Sequence, residues 1–233
     1  MKVKIWSDVR CPFCYIGKKK FEAALAKFPQ QEQVEIEWKS YQLDPHLKTD
    51  PNLSTLEYFM QTKGVSEEQA RQMFQGATNM AAEVGLNFKL ETSVTANSFM
   101  AHRLIQMAKS TVLGNEIEEA LFKAHFEDAK NIDDAEVLLE VATSIGMDAD
   151  EVKTMLESDD FAYDVKQDEM EARNIGVRGV PFFVFDDKYA ISGAQPSETF
   201  LQTLEKAWEE SKPKKTELKI TEGNSCSPEG KCD

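Results

Sequence analysis

The chain is poor in the residues that build metal centres and disulfide frameworks: its 233 residues include three histidines and four cysteines. Basic residues are also scarce. Lys and Arg total 27 against 41 Asp and Glu, for a net charge of −14. A chain this acidic is repelled by phosphate backbones, which argues against general nucleic-acid binding. Long apolar runs are missing, and Val180 to Phe185 falls far short of the roughly 20 residues that span a bilayer, so no membrane partner is expected. Met1 to Val9 alternates Val3 and Ile5 with Lys2 and Lys4 and runs straight into Cys11, leaving no room for a signal-peptide core. A cytoplasmic setting is therefore expected, in which cysteines read as redox-active, catalytic or metal-binding before they read as structural bridges. Hydrophobic residues at 41% suffice for one sizeable core, with room for one domain inserted into another.

Lys2–Ser7 reads as a strand leading directly into Cys11-Pro12-Phe13-Cys14. A helical pattern follows to about Phe28, with Phe21, Ala24, Leu25 and Phe28 on one face, and Pro29 ends it. Val34–Tyr41 alternates again, giving a second strand parallel to the first across the helix. From about Leu53 to Asn174 almost everything has helical periodicity, with Asp133/Glu136 and Asp148/Glu151 at the spacing of N-terminal capping boxes. Strand signals return at Val180–Phe185 and Tyr189–Ser192, a hairpin, and Gln195-Pro196-Ser197 opens a last helix. The order is that of an α/β, thioredoxin-like fold interrupted by an inserted α-helical domain. Its expected parts are residues 1–50 with the cysteine motif, the insertion 51–165, the second half 166–211, and a polar tail 212–233.

Cys11 precedes a proline suited to the first helical turn, so its sulfur is expected over the free N–H groups and positive dipole of a helix start. Thiols in such motifs ionise at roughly pH 3.5–7.5 instead of about 8.5. Cys14 lies one turn further in, within reach of a mixed disulfide on Cys11. That makes Cys11 the entry nucleophile and Cys14 the resolving thiol. Half of a zinc site looks the same, but completing it would need Cys226 and Cys232, at an unusual spacing in the polar tail, so no metal is expected. Gly179-Val180-Pro181 supplies the second element of the site. A cis Val180–Pro181 bond beside the cysteine helix would leave an open backbone edge for an extended substrate.

These blocks carry a resemblance. Ser7-Asp8-x-x-Cys11-Pro12-Phe13-Cys14-Tyr15-Ile16-Gly17, then Tyr41-Gln42-Leu43-Asp44-Pro45, then Asn97-x-Phe99-x-Ala101-His102-Arg103-Leu104, then Gly176-Val177-x-Gly179-Val180-Pro181-Phe182-Phe183 resembles the FrnE-like branch of the DsbA family, in order and over residues 2 to about 210. The resemblance implies a thioredoxin fold with a helical insertion, a disulfide-exchanging Cys11/Cys14 pair and a cis proline at Pro181. Periplasmic DsbA carries a histidine where this chain has Phe13, which offers a thiolate neither charge nor hydrogen bond. The pair is expected between the roughly −120 mV of DsbA and −270 mV of thioredoxin.

The expected activity is cytosolic thiol–disulfide exchange or isomerisation on protein or small-thiol substrates. No bound cofactor is required, and glutathione is a candidate redox partner. Kappa-type glutathione transferases and 2-hydroxychromene-2-carboxylate isomerases share the fold and form the nearest alternative; a client-binding holdase is a further one. Cys226 and Cys232 are candidates for an accessory redox pair within reach of the main site. His102 and His125 lie on apolar helical stripes and read as structural, and His46 as a loop residue. Trp6 and Tyr15 suit either the rim of the motif or the core. Met100, Met107, Met147, Met155 and Met170 read as filling for the insert's core. From Glu116 to Glu171 the chain carries 19 acidic residues and four lysines, an expected solvated acidic face.

Overall fold

The alternation in Lys2–Ser7 (β1) buries Val3 and Ile5 on one face of a sheet. Trp6, on the opposite face, is buried as well, because a helix covers that side. The coordinates, a computed structural model, describe residues 1–211, so the tail pair Cys226 and Cys232 lies outside the described residues. After β1 comes α1 (Pro12–Leu25), which crosses over to β2 (Glu35–Ser40). The two strands are parallel, with Ile5 opposite Trp38. On its other edge β1 pairs antiparallel with β5 (Phe182–Phe185), placing Ile5 opposite Phe183, and β6 (Tyr189–Ser192) completes the sheet in the order β2-β1-β5-β6.

The β5–β6 turn holds Asp186 and Asp187 at φ 51° and 54°, the left-handed pair that a tight hairpin needs and that aspartate tolerates. The final helix, α9 (Ser197–Ser211), packs against α1 on one face of the sheet. Phe21, Phe183 and Phe200 meet there with ring centroids 4.7–5.8 Å apart. The opposite face is covered by α8 (Ala162–Asn174), whose Asp168 carbonyl accepts the Trp6 indole N–H at 3.0 Å. This is the thioredoxin-like arrangement expected from the sequence.

The insert departs from that expectation. It is not helical throughout: β3 (Asp50–Ser54) and β4 (Val94–Thr95) form a two-stranded antiparallel ribbon at its base. Strands this short, one with a proline and a register shift, leave no period-two pattern to read. Between them run α2 (Thr55–Lys63) and α3 (Glu67–Ala82), each opened by a complete capping box, Ser54/Glu57 and Ser66/Gln69. The helices α4 (Phe99–Lys109), α5 (Gly114–Phe126), α6 (Ala135–Ser144) and α7 (Ala149–Glu157) follow. Asp148 caps α7 as expected, but α6 is capped by Asp134, not Asp133. Asp133 is instead a hydrogen-bond partner of Thr49. Arg103 on α4 donates to the carbonyls of Met155, Ser158 and Asp160, which ties the end of α7 to the bundle. Met147 and Met155 fill the core as expected, whereas Met170 sits exposed on α8.

Candidate active site

The turn from β1 into α1 is closed by two backbone hydrogen bonds, Cys11 N–H to Asp8 O and Cys14 N–H to Cys11 O, both 2.9 Å. Cys11 occupies the N-cap of α1 in an extended conformation, and Pro12 takes the first helical position, where a missing N–H costs nothing. Both cysteines carry free thiols. They are unequal in access: Cys11 is 5% exposed and Cys14 1%. Burial pushes the Cys14 thiol well above its ordinary value, and the hydrogen bond and charge of Cys11 add to that. The backbone N–H of Asp8 acts in the opposite direction on the Cys14 sulfur.

The second half of the fold delivers Val180 and Pro181 to the same place. The Val180–Pro181 peptide is cis, Pro181 is buried, and Val180 is half-buried. The Val180 carbonyl lies 3.6 Å from Cys11 Sγ. Of the residues singled out from the sequence, Cys11, Cys14, Val180 and Pro181 therefore converge on one point, where β1 ends and β5 begins. What lets α1 approach so closely is Gly17. A Cβ there would stand 2.9 Å from Pro181 Cγ and 3.5 Å from Phe183 Cζ. The proline ring has no flexible end to swing away, so Gly17→Ala is expected to cost about 1–3 kcal/mol in overpacking. It should also slow reaction at Cys11 by displacing the Val180 edge. Urea unfolding and Cys11 alkylation rates measure the two effects, and an unchanged protein would mean the contact relaxes freely.

Trp6 and Tyr15 belong to the core, not the rim. Tyr15 is 2% exposed, stacks on Phe122 with centroids 4.9 Å apart, and donates to Glu119 at 2.8 Å. At the β1–α1 turn Phe13, between the cysteines, is exposed, and so is Leu43, which is bonded to Asp8. Leu43 is held there by its N–H, which donates to Asp8 Oδ2 at 2.8 Å. Arg10 lies over the Tyr58 ring at 5.4 Å, and Tyr58 donates to Asp44 at 2.7 Å, so the insert's α2 is fastened to the segment flanking the motif.

Sequence reasoning passed over the polar layer beneath the motif. Asp8, His102 and Glu118 are all buried there. Glu118 is raised by burial to about 7. Its signal was present: on α5 a glutamate shares the apolar stripe with Leu121, Phe122 and His125. His125 is buried as expected, and burial, followed by the charge of Arg10, lowers it to about 4. His46 is exposed in its loop. Among the described residues no group of His, Cys, Asp and Glu could hold a metal ion, and no helix is long and apolar enough to cross a membrane.

Comparison with known proteins places this geometry in context. The family model for the DSBA-like thioredoxin domain matches residues 2–205. A crystal structure of a probable DsbA oxidoreductase from Streptomyces coelicolor is similar over 100% of this chain and 98% of its own, with 38% identity and a TM-score of 0.86. Two more distant structures share the fold. The cytosolic disulfide reductase DsbM of Pseudomonas aeruginosa, solved with GSH, is 15% identical at TM-score 0.64, over 90% of this chain and 100% of its own. A 2-hydroxychromene-2-carboxylate isomerase is 16% identical at TM-score 0.63, over 90% and 95%.

Proposed function

The chain belongs to the DSBA-like thioredoxin domain family, and from that premise we propose that it is a cytosolic thiol–disulfide oxidoreductase working through Cys11 and Cys14 on protein or small-thiol substrates. One observation carries the reading. Two free thiols stand one helical turn apart at the start of α1, with the more accessible one 3.6 Å from the Val180 carbonyl next to Pro181.

In the reducing direction the Cys11 thiolate attacks one sulfur of a substrate disulfide, and the other substrate sulfur leaves as a thiolate. Cys14 then attacks the Cys11 sulfur, releasing the second substrate thiolate and forming the Cys11–Cys14 disulfide. Two electrons pass to the substrate, and two glutathione thiols restore them, leaving as glutathione disulfide. The order of ionisation follows from the site. While Cys11 is a thiolate, its charge and hydrogen bond help hold the proton on Cys14. Once Cys11 is tied up in the mixed disulfide that charge is gone, and the Cys14 proton becomes easier to remove. Exposed Phe13 between the cysteines, with exposed Leu43 bonded to Asp8 at the same turn, suits an unfolded or extended polypeptide substrate.

The test is a glutathione redox titration with free thiols alkylated and counted by mass. The expected result is that Cys11 and Cys14 appear and disappear together as a two-electron couple. A lone glutathione adduct on Cys11, with Cys14 reduced throughout, would favour glutathione conjugation or isomerisation, the reading that the isomerase likeness supports.

A further inference from the structure

Under the β1–α1 turn lies a set of buried titratable groups that the exchange steps leave unused. Asp8 and His102 are each 0% exposed, and Glu118 from α5 is 1% exposed. Nε2 of His102 sits 3.5 Å from Oδ1 of Asp8, long for a hydrogen bond but close for two charges without intervening water. Neither ring nitrogen of His102, nor Oε2 of Glu118, has any hydrogen-bond partner. Burying unpartnered polar atoms costs roughly 1–3 kcal/mol each, so an apolar side chain at position 102 would serve packing better.

Asp8, by contrast, is joined to the cysteine motif on every side. Its carbonyl accepts the Cys11 N–H at 2.9 Å, and its Oδ1 accepts the Arg10 N–H at 3.1 Å. Its Oδ2 accepts the Leu43 N–H at 2.8 Å, and its own N–H acts on the Cys14 sulfur. A bare carboxylate in that position would oppose negative charge on either sulfur.

We propose that His102 is a positioning residue for the cysteine pair: as an imidazolium it neutralises the Asp8 carboxylate, and through Asp8 it sets how readily Cys11 and Cys14 carry thiolate charge and hence how oxidising the pair is. The inference rests on the redox reading above. Charges facing His102 agree with it. Burial lowers His102, but Asp8 from the turn, Glu118 from α5 and Glu169 from α8 outweigh that and raise it overall. Burial likewise raises Asp8, yet His102, Arg10 and the Leu43 N–H hold it below the usual carboxylate range. Lys18 and Lys109 face Glu118 from α1 and α4.

The experiment measures two quantities in the full chain, in wild type, His102→Gln, Asp8→Asn and the double variant. These are the Cys11 alkylation rate between pH 6 and 9 and the equilibrium constant with glutathione. His102→Gln should slow alkylation at pH 7 about tenfold and move the glutathione equilibrium toward a more reducing pair by a similar factor. The double variant should recover most of both, because no carboxylate is left to neutralise. No change in His102→Gln, or a change that persists undiminished in the double variant, overturns the proposal. Should these variants not fold, the wild type still decides. The NMR titration of the His102 ring must then differ between oxidised and reduced protein, and identical curves overturn the proposal. Failure of the redox reading would show separately, as a wild-type pair that never interconverts with glutathione, while the alkylation rates still report on His102.

Discussion

Cys14→Ser leaves the protein covalently attached to its substrate. Cys11 keeps its place at the N-cap of α1 and its contact with the Val180 carbonyl, so the first attack proceeds. The mixed disulfide then has no thiol in the α1 turn to resolve it. An attacking group one helical turn away is replaced by external thiols at millimolar concentration. The second step is expected to fall by a thousandfold or more, roughly, from the loss of that proximity. Peptide-level mass measurement after incubation with oxidised glutathione should find the adduct on Cys11 in Cys14→Ser and none on Cys14 in Cys11→Ser, with Cys226 and Cys232 read separately. Full turnover by Cys14→Ser would contradict the two-thiol mechanism and leave chemistry at Cys11 alone.

The second large effect concerns stability. Phe183 is fully buried in β5, sits opposite Ile5 across the sheet, and packs against Phe200 and Phe21 at 4.7 and 5.6 Å between centroids. Phe183→Ala removes the ring that joins α1 and α9 to the sheet and leaves a cavity directly behind Pro181. The expected loss is about 3–5 kcal/mol, a large share of the roughly 5–15 kcal/mol that stabilises a typical domain. For a chain of this length that corresponds to a melting temperature lower by about 6–20 °C. A loss under about 1 kcal/mol in urea unfolding would mean that the three-ring cluster repacks, and that the sheet is held chiefly elsewhere.

The sequence made the central sheet legible because its elements advertise themselves locally. Lys2–Ser7 alternates, the Cys-Pro-x-Cys turn opens a helix with a clear apolar face, and Val180–Phe185 is an apolar run led by a proline. The convergence of Cys11, Cys14, Val180 and Pro181 followed from that topology. The ribbon of β3 and β4 was not legible, because two-residue and bulged pairings have no period to read. Asp134, not Asp133, caps α6, because adjacent aspartates give the same spacing signal to within one residue. The acid–base layer was the deeper miss. His102 reads as an ordinary buried histidine from its neighbours on α4, and only the fold brings Asp8 and Glu118 to its ring.

The order of the sheet has a consequence for how the chain is made. Its two inner strands come from opposite ends of the chain: β1 from residues 2–7 and its partner β5 from residues 182–185. At ribosomal rates of roughly 5–20 residues per second, β5 follows the cysteine motif by about ten to thirty seconds. During that interval the nascent thiols of Cys11 and Cys14 lack the Val180–Pro181 wall and the packing that later encloses them. A growing chain therefore presents both sulfurs of the motif to the cell before the cleft around them exists. Pulse-labelling of stalled chains with a thiol probe should find both cysteines open until the final hairpin has left the ribosome.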